Sequence, residues 1–168
     1  MREPGLSVNL ADAAATAAAG AALAATLPRE RALLGLSGEL GAGKTTLTRG
    51  LLRGLGVTGP IRSPSYTLVE PYRVGARDVL HLDLYRLSGP DELAELGWRD
   101  LGGPDSIWIV EWPERGAGEL GRPDLLIGLE LSGPGRSLRL VAGSALGRAW
   151  LARAAGALAE RGLVPDSI

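Results

Sequence analysis

Lys44 is the only lysine in the chain, and the remaining strongly basic side chains are all arginine. It stands within Gly38-Glu39-Leu40-Gly41-Ala42-Gly43-Lys44-Thr45, a G-x-x-x-x-G-K-T string of the phosphate-binding type. Glycines at these positions let backbone N–H groups turn inward and line a nest for an anion. A helix beginning there aims its N-terminal dipole at the same anion. Between two phosphates a compact ammonium on a flexible stem fits, and a guanidinium fork is too bulky. The spacing therefore places Lys44 on the β- and γ-phosphates, the Thr45 hydroxyl on Mg²⁺ and Thr46 at the α-phosphate. The stretch Glu39, Leu40, Gly41, Ala42 and Gly43 wraps the same group. The chemistry indicated is binding of a nucleoside triphosphate with magnesium.

Such a site needs an acid near the metal, commonly at the end of a buried strand. Two are available: Glu111 follows Ile107-Trp108-Ile109-Val110, and Asp83 follows Val79-Leu80-His81-Leu82. Glu111 is assigned to the metal shell, and Asp83 to positioning of water or to the outer metal shell; residue types alone allow the two roles to be exchanged. The Asn-Lys-x-Asp reader of guanine is excluded, because Asn9 and Lys44 are the only residues of their types and are not adjacent. ATP is thereby favoured over GTP. The chain has no glutamine to orient an attacking water, so a carboxylate must do so or hydrolysis is slow until something else arrives.

Ser63-Pro64-Ser65-Tyr66-Thr67 follows the loop's helix, where switch segments sense a γ-phosphate through a hydroxyl. By residue types alone it is an ordinary Pro/Ser turn. Trp112 either shields the nucleotide, contacts a partner, or belongs to the core. His81 alternates with Asp83 but has no evident proton-transfer partner, and reads as a structural histidine. Arg86 and Arg115 are within sequence reach of the site.

The elements that must position these groups are those of one α/β domain spanning residues 1–168. The expected fold is a three-layer P-loop NTPase-like one: a mostly parallel central sheet with late antiparallel strands, flanked by helices. Alanine content predicts a helix from Asp12 to Leu27. Ala32 to Ser37 is a strand opening onto the loop, and Thr45 to Leu55 is the helix after it, with Leu47, Leu51 and Leu55 on one face. Further strands are expected at Thr67–Pro71, Val79–Asp83 and Ser106–Trp112, with a short helix at Pro90–Leu96. Leu125–Leu131 and Ser137–Val141 form a hairpin about Gly133-Pro134-Gly135. An amphipathic helix from Ala145 to Arg161 packs on the domain. The absence of cysteine excludes disulfides and thiol chemistry. A formal charge of -1 argues against strong independent binding to nucleic acid. No run is long and apolar enough to cross a membrane, so the expected location is the cytoplasm.

Taken together, these blocks resemble the bacterial TsaE (YjeE) family, small ATPases of tRNA threonylcarbamoyladenosine modification. The matching residues are Thr16 to Gly20, Ser37 to Gly50, Ser63 to Leu68, His81 to Leu87, Glu92 to Gly97 and Ile109 to Arg115. The order and spacing of His81-Leu82-Asp83-Leu84-Tyr85-Arg86 and Glu111-Trp112-Pro113-Glu114-Arg115 are specific to that family. The resemblance implies ATP and Mg²⁺ binding, weak ATP hydrolysis by the chain alone, and docking on the TsaB–TsaD complex, which modifies an adenosine beside the anticodon. Contact with tRNA is then indirect, through that complex. Lys44, Thr45, Thr46, Asp83 and Glu111 inherit the nucleotide and metal roles. Thr16 matches a residue near the base, and Arg136 lies in the late strand segment that approaches the nucleotide. Ser65 stands where threonine is usual and keeps the sensing hydroxyl. Two other functions remain open on residue types: a stand-alone small-molecule kinase, which needs a substrate pocket and an arginine-bearing lid, and a binding-only nucleotide switch.

Overall fold

The computed structural model describes residues 3–168. Four strands, each carrying a buried apolar stretch, form its parallel centre: β2 (Ala32–Ser37), β4 (Arg77–Asp83), β5 (Ile107–Glu111) and β6 (Leu125–Ser132). Burial on both faces is what such strands require. Leu34, Leu36, Ile107, Ile109, Ile127 and Leu129 enter one core; Leu33, Leu80, Leu82, Trp108 and Val110 enter a second on the opposite face. Helices α1 (Ala13–Ala24), α2 (Lys44–Gly54) and α5 (Ala145–Glu160) belong to the first face. The short α3 (Pro90–Leu96), a 3₁₀ turn at Trp98–Asp100 and α4 (Ala117–Leu120) belong to the second. The three-layer arrangement is the one expected.

Antiparallel strands extend the sheet at both sides. β3 (Val69–Val74) pairs with β4, and β7 (Gly135–Ala142) with β6. The full order is β3-β4-β5-β2-β6-β7-β1-β8 in an 8-stranded sheet. β1 (Gly5–Leu10) and the two-residue β8 (Asp166–Ser167) lie outside the elements expected from sequence. β1 alternates Leu6, Val8 and Leu10 against Ser7 and Asn9, a half-buried period of two, and it is fixed by antiparallel pairing with β7. The hairpin register brings Ser132 opposite Gly135, so the turn is Gly133-Pro134 alone.

Several boundaries differ from expectation. The first helix ends at Ala24 rather than Leu27, because Thr26 turns its hydroxyl back onto the Leu23 carbonyl at 2.7 Å and Pro28 follows. β3 runs from Val69 to Val74, not from Thr67; Thr67 sits in the preceding turn and its hydroxyl donates to Glu70 at 3.1 Å. β4 starts earlier, at Arg77, whose guanidinium donates to the carbonyls of Pro28, Glu30 and Asp105.

The contact that matters most for the site is between α1 and α2. A β-carbon on Gly50 would lie 2.2 Å from the Ala17 carbonyl oxygen, and one on Gly20 would lie 2.1 Å from that of Leu47. Only the absence of a side chain at both allows so close an approach. α1 is capped by Asp12, whose carboxylate accepts from the Ala15 N–H at 2.8 Å, and α5 by Ser144, which accepts from Gly147 at 2.9 Å. α2 has no side-chain cap. No helix is long and apolar enough to cross a membrane among the described residues.

Candidate nucleotide-binding site

The uncapped start of α2 is where the site begins. The first N–H groups of a helix have no partner within it, and here no side chain supplies one. Gly43, at the N-cap, has a φ of 114°, a conformation closed to most L residues. The result is a set of amide donors beside the positive end of a helix dipole, a ready anion cradle.

Two acids are brought to this cradle by strand register. Asp83 and Glu111 lie directly opposite one another on the parallel strands β4 and β5. Side chains alternate along a strand, so Asp83 shares its face with Val79 and Glu111 shares its face with Ile107 and Ile109. That is the face packed by α2. Glu111 is buried and accepts from the Thr45 hydroxyl at 3.1 Å. Asp83 accepts from the Ser65 hydroxyl at 3.3 Å and from the Tyr85 N–H at 3.0 Å. Ser65 is in turn hydrogen-bonded to Ser63 at 2.8 Å. One acid thus meets the loop's threonine, and the other meets the Ser/Pro segment.

These groups surround a cleft of about 210 Å³. Leu40, Gly41, Gly43, Lys44, Thr45, Thr46, Ser65, Asp83, Glu111, Trp112 and Arg136 line it, as does Ser63. Three expected residues do not. Ala42 points into the core. Glu39 faces solvent and offers its carbonyl to Lys44. Thr16 is buried, with its hydroxyl donating to the Asp12 carbonyl at 3.1 Å, and its methyl group packs behind Gly43. It packs against the loop at Gly43 and is not part of the cleft lining.

Lys44 donates to the carbonyls of Gly38 and Glu39 at 2.5 and 2.9 Å. Its ammonium also lies 4.5 Å from the centre of the Trp112 ring, within cation–π range. Burial pulls the Lys44 pKa below the ordinary lysine value, while the charges of Glu111, Asp83 and Glu114 hold it up. Trp112 keeps its ring there through a left-handed backbone, with φ 59°, unusual for so bulky a residue. Its N–H is anchored to the Leu36 carbonyl at 3.1 Å. Strain of this kind persists where the surroundings over-determine it, commonly at functional sites. Arg136 reaches the loop from β7, and its Nε is buried without a partner. Arg86 and Arg115 do not line the cleft: Arg86 stacks on Tyr66, and Arg115 on Tyr85 and Trp112.

The donor set suits a hard cation. Thr45, Glu111 and Asp83 offer only oxygen, the preference of magnesium. Among the described residues no group of three or more His, Cys, Asp and Glu could hold a metal unaided. A site of two carboxylates and a hydroxyl fits an ion completed by phosphate oxygens, the usual mode for magnesium with nucleotides. One pairing was not expected from sequence. His81 Nε2 lies 2.7 Å from Glu111 Oε2, with the imidazole fully buried. The available signal was the parallel alternation that sends Val79, His81 and Asp83 to one side, but the neighbouring strand's register is needed to find the partner.

The model of the family "Threonylcarbamoyl adenosine biosynthesis protein TsaE" matches residues 10–138. The chain belongs to the TsaE family. Among similar proteins, that of Haemophilus influenzae is 47% identical over 113 residues, 67% of this chain and 72% of its own length. That of Synechocystis is 46% identical over 118 residues, covering 68% and 74%. That of Streptomyces coelicolor is 41% identical over 131 residues, covering 75% and 88%. Each is named a tRNA threonylcarbamoyladenosine biosynthesis protein TsaE. The crystal structure of Bacillus subtilis YdiB superposes with a TM-score of 0.73 at 26% identity, covering 92% of this chain and 96% of that one. The family match contains the cleft and ends within β7; α5 lies beyond it.

Proposed function

We propose that this TsaE-family chain is a magnesium-dependent ATPase that serves tRNA threonylcarbamoyladenosine biosynthesis by docking on the TsaB–TsaD complex. The observation that carries the reading is the contact of Thr45 with Glu111, which joins the first turn of the loop's helix to the acid at the end of a buried strand. A glycine-rich turn matching the motif by chance has no reason to face such an acid.

In this reading the amides at the start of α2 and the Lys44 ammonium bind the phosphate tail. Thr45 and Glu111 hold the metal, and Asp83, tied to Ser65, positions water and relays the state of the γ-phosphate to the Ser63–Thr67 segment. Magnesium, when bound, neutralises charge on the phosphate oxygens. Trp112 closes one wall of the cleft and limits water around Lys44. Arg136 supplies a second cation from the opposite wall. Hydrolysis by the isolated chain is slow, because the sequence has no glutamine to orient an attacking water. The partner complex accelerates it, and holds the tRNA.

The test is ATP turnover by the purified chain alone, with TsaB and TsaD, and with both plus tRNA. Stimulation by the partners is the expected result. Phosphate transfer to a metabolite without them would replace this reading with a kinase, and binding without turnover in every mixture would leave a nucleotide switch.

A further inference from the structure

We propose that His81 is a positioning residue that orients the Glu111 carboxylate towards the metal position beside Thr45. The inference rests on the magnesium–nucleotide reading of the cleft.

Glu111 is 2% exposed and sits between two side chains. Thr45 approaches the carboxylate from the cleft, 3.1 Å from Oε1 and 3.4 Å from Oε2, and His81 approaches Oε2 at 2.7 Å. With Glu111 ionised, a carboxylate can only accept, so the imidazole presents an N–H on Nε2. Without that donor, the carboxylate is free to rotate about its last torsion, a broad and shallow one. With it, Oε2 is held by the imidazole, and Oε1 is turned to be the oxygen nearer Thr45. Partners of this kind fix a ligand's orientation in metal sites generally.

Packing does not require an imidazole here. Leu80 and Leu82 fill the adjacent positions of β4, and on its own face His81 lies between Val79 and Asp83, with Ile109 beside it on β5. His81 Nδ1 is buried with no hydrogen-bond partner. Such an unpaired nitrogen destabilises the fold, and a leucine would have none. Among the described residues, the ring's one hydrogen-bond contact is to Glu111. His81 does not line the cleft, so any influence on a bound metal passes through Glu111.

The measurement is the gain in affinity for a non-hydrolysable ATP analogue on going from EDTA to Mg²⁺, by calorimetry on the full chain. His81→Leu is expected to reduce that gain about ten- to a hundredfold, the usual loss when such a partner is removed. Its affinity in EDTA stays near that of the unsubstituted chain, because the amides and Lys44 are untouched. His81→Gln places an amide N–H near the position of Nε2 and is expected to restore most of the gain. His81→Asn places it near Nδ1, short of Glu111, and does not. If His81→Leu does not fold, the Gln and Asn pair gives the answer alone. A full gain in His81→Leu, or an equal loss in Gln and Asn, overturns the inference. Absence of any gain in the unsubstituted chain overturns it together with the reading of the cleft.

Discussion

The close packing of α1 on α2 makes a prediction whose sign, not only its size, is informative. In a helix interior, glycine to alanine is favourable by up to about 1 kcal/mol from propensity alone. At Gly50 the new methyl would meet the Ala17 carbonyl oxygen at 2.2 Å and the Ala17 carbonyl carbon at 2.8 Å. Both are backbone, so no side chain can swing aside. An ordinary C···O contact is about 3.3 Å, so the helices must part by roughly 1 Å. Overpacking of this kind costs about 1–3 kcal/mol, and a rigid obstacle puts Gly50→Ala at the upper end. After subtracting the propensity gain, the net is about 1–2 kcal/mol of destabilisation. For a domain of this size that lowers Tm by about 2–8 °C. Gly156 on α5 is the control, since a β-carbon there meets nothing within 4 Å. Gly156→Ala is expected to raise Tm by about 1–4 °C, from 0.5–1 kcal/mol. The assay is thermal unfolding followed by circular dichroism, with ATP-analogue affinity measured in parallel, because α2 carries Lys44 and Thr45. If Gly50→Ala raised Tm as Gly156→Ala does, the inter-helix argument would be wrong.

Four further outcomes are expected. Lys44→Ala should weaken ATP binding about 10- to 100-fold, the value of a charge-assisted hydrogen bond of about 1.5–3 kcal/mol; unchanged affinity by calorimetry would contradict the role given to the ammonium. Glu111→Ala should leave affinity in EDTA largely intact while lowering magnesium-dependent turnover by about two orders of magnitude, and normal hydrolysis would remove Glu111 from the metal site. Ser65→Ala should reduce turnover about fivefold, for a hydrogen bond of about 1 kcal/mol, with Ser65→Thr close to the unsubstituted chain; equal behaviour of the two would remove the hydroxyl from the mechanism. Asp12→Ala removes the α1 cap and should destabilise by about 1 kcal/mol, read as a fall in Tm of about 2–4 °C.

What was legible in the sequence was whatever local chemistry encodes. The loop motif, the apolar runs ending in Asp83 and Glu111, and the glycine–proline turn of the hairpin each carry their own signal, though the turn is one residue shorter and β4 two residues longer than expected. β1 was not legible in the same way. Leu6, Val8 and Leu10 alternate correctly, but they abut an alanine-rich helix, and their partner β7 is far along the chain. Pairing at that distance leaves no trace in a local window. Thr16 shows a different gap. A helix position does not say what the side chain touches; here the Thr16 methyl lies by Gly43 and its hydroxyl donates to the Asp12 carbonyl. His81 was read as structural for want of a partner, and the partner appears only when β4 and β5 are set in register.

The resting arrangement of Lys44 has a thermodynamic consequence. Its ammonium already has two carbonyls and an aromatic face, and Thr45 already has a carboxylate. On the proposed reading, a triphosphate entering the cleft exchanges contacts rather than adding them, and its net grip is a difference between similar quantities.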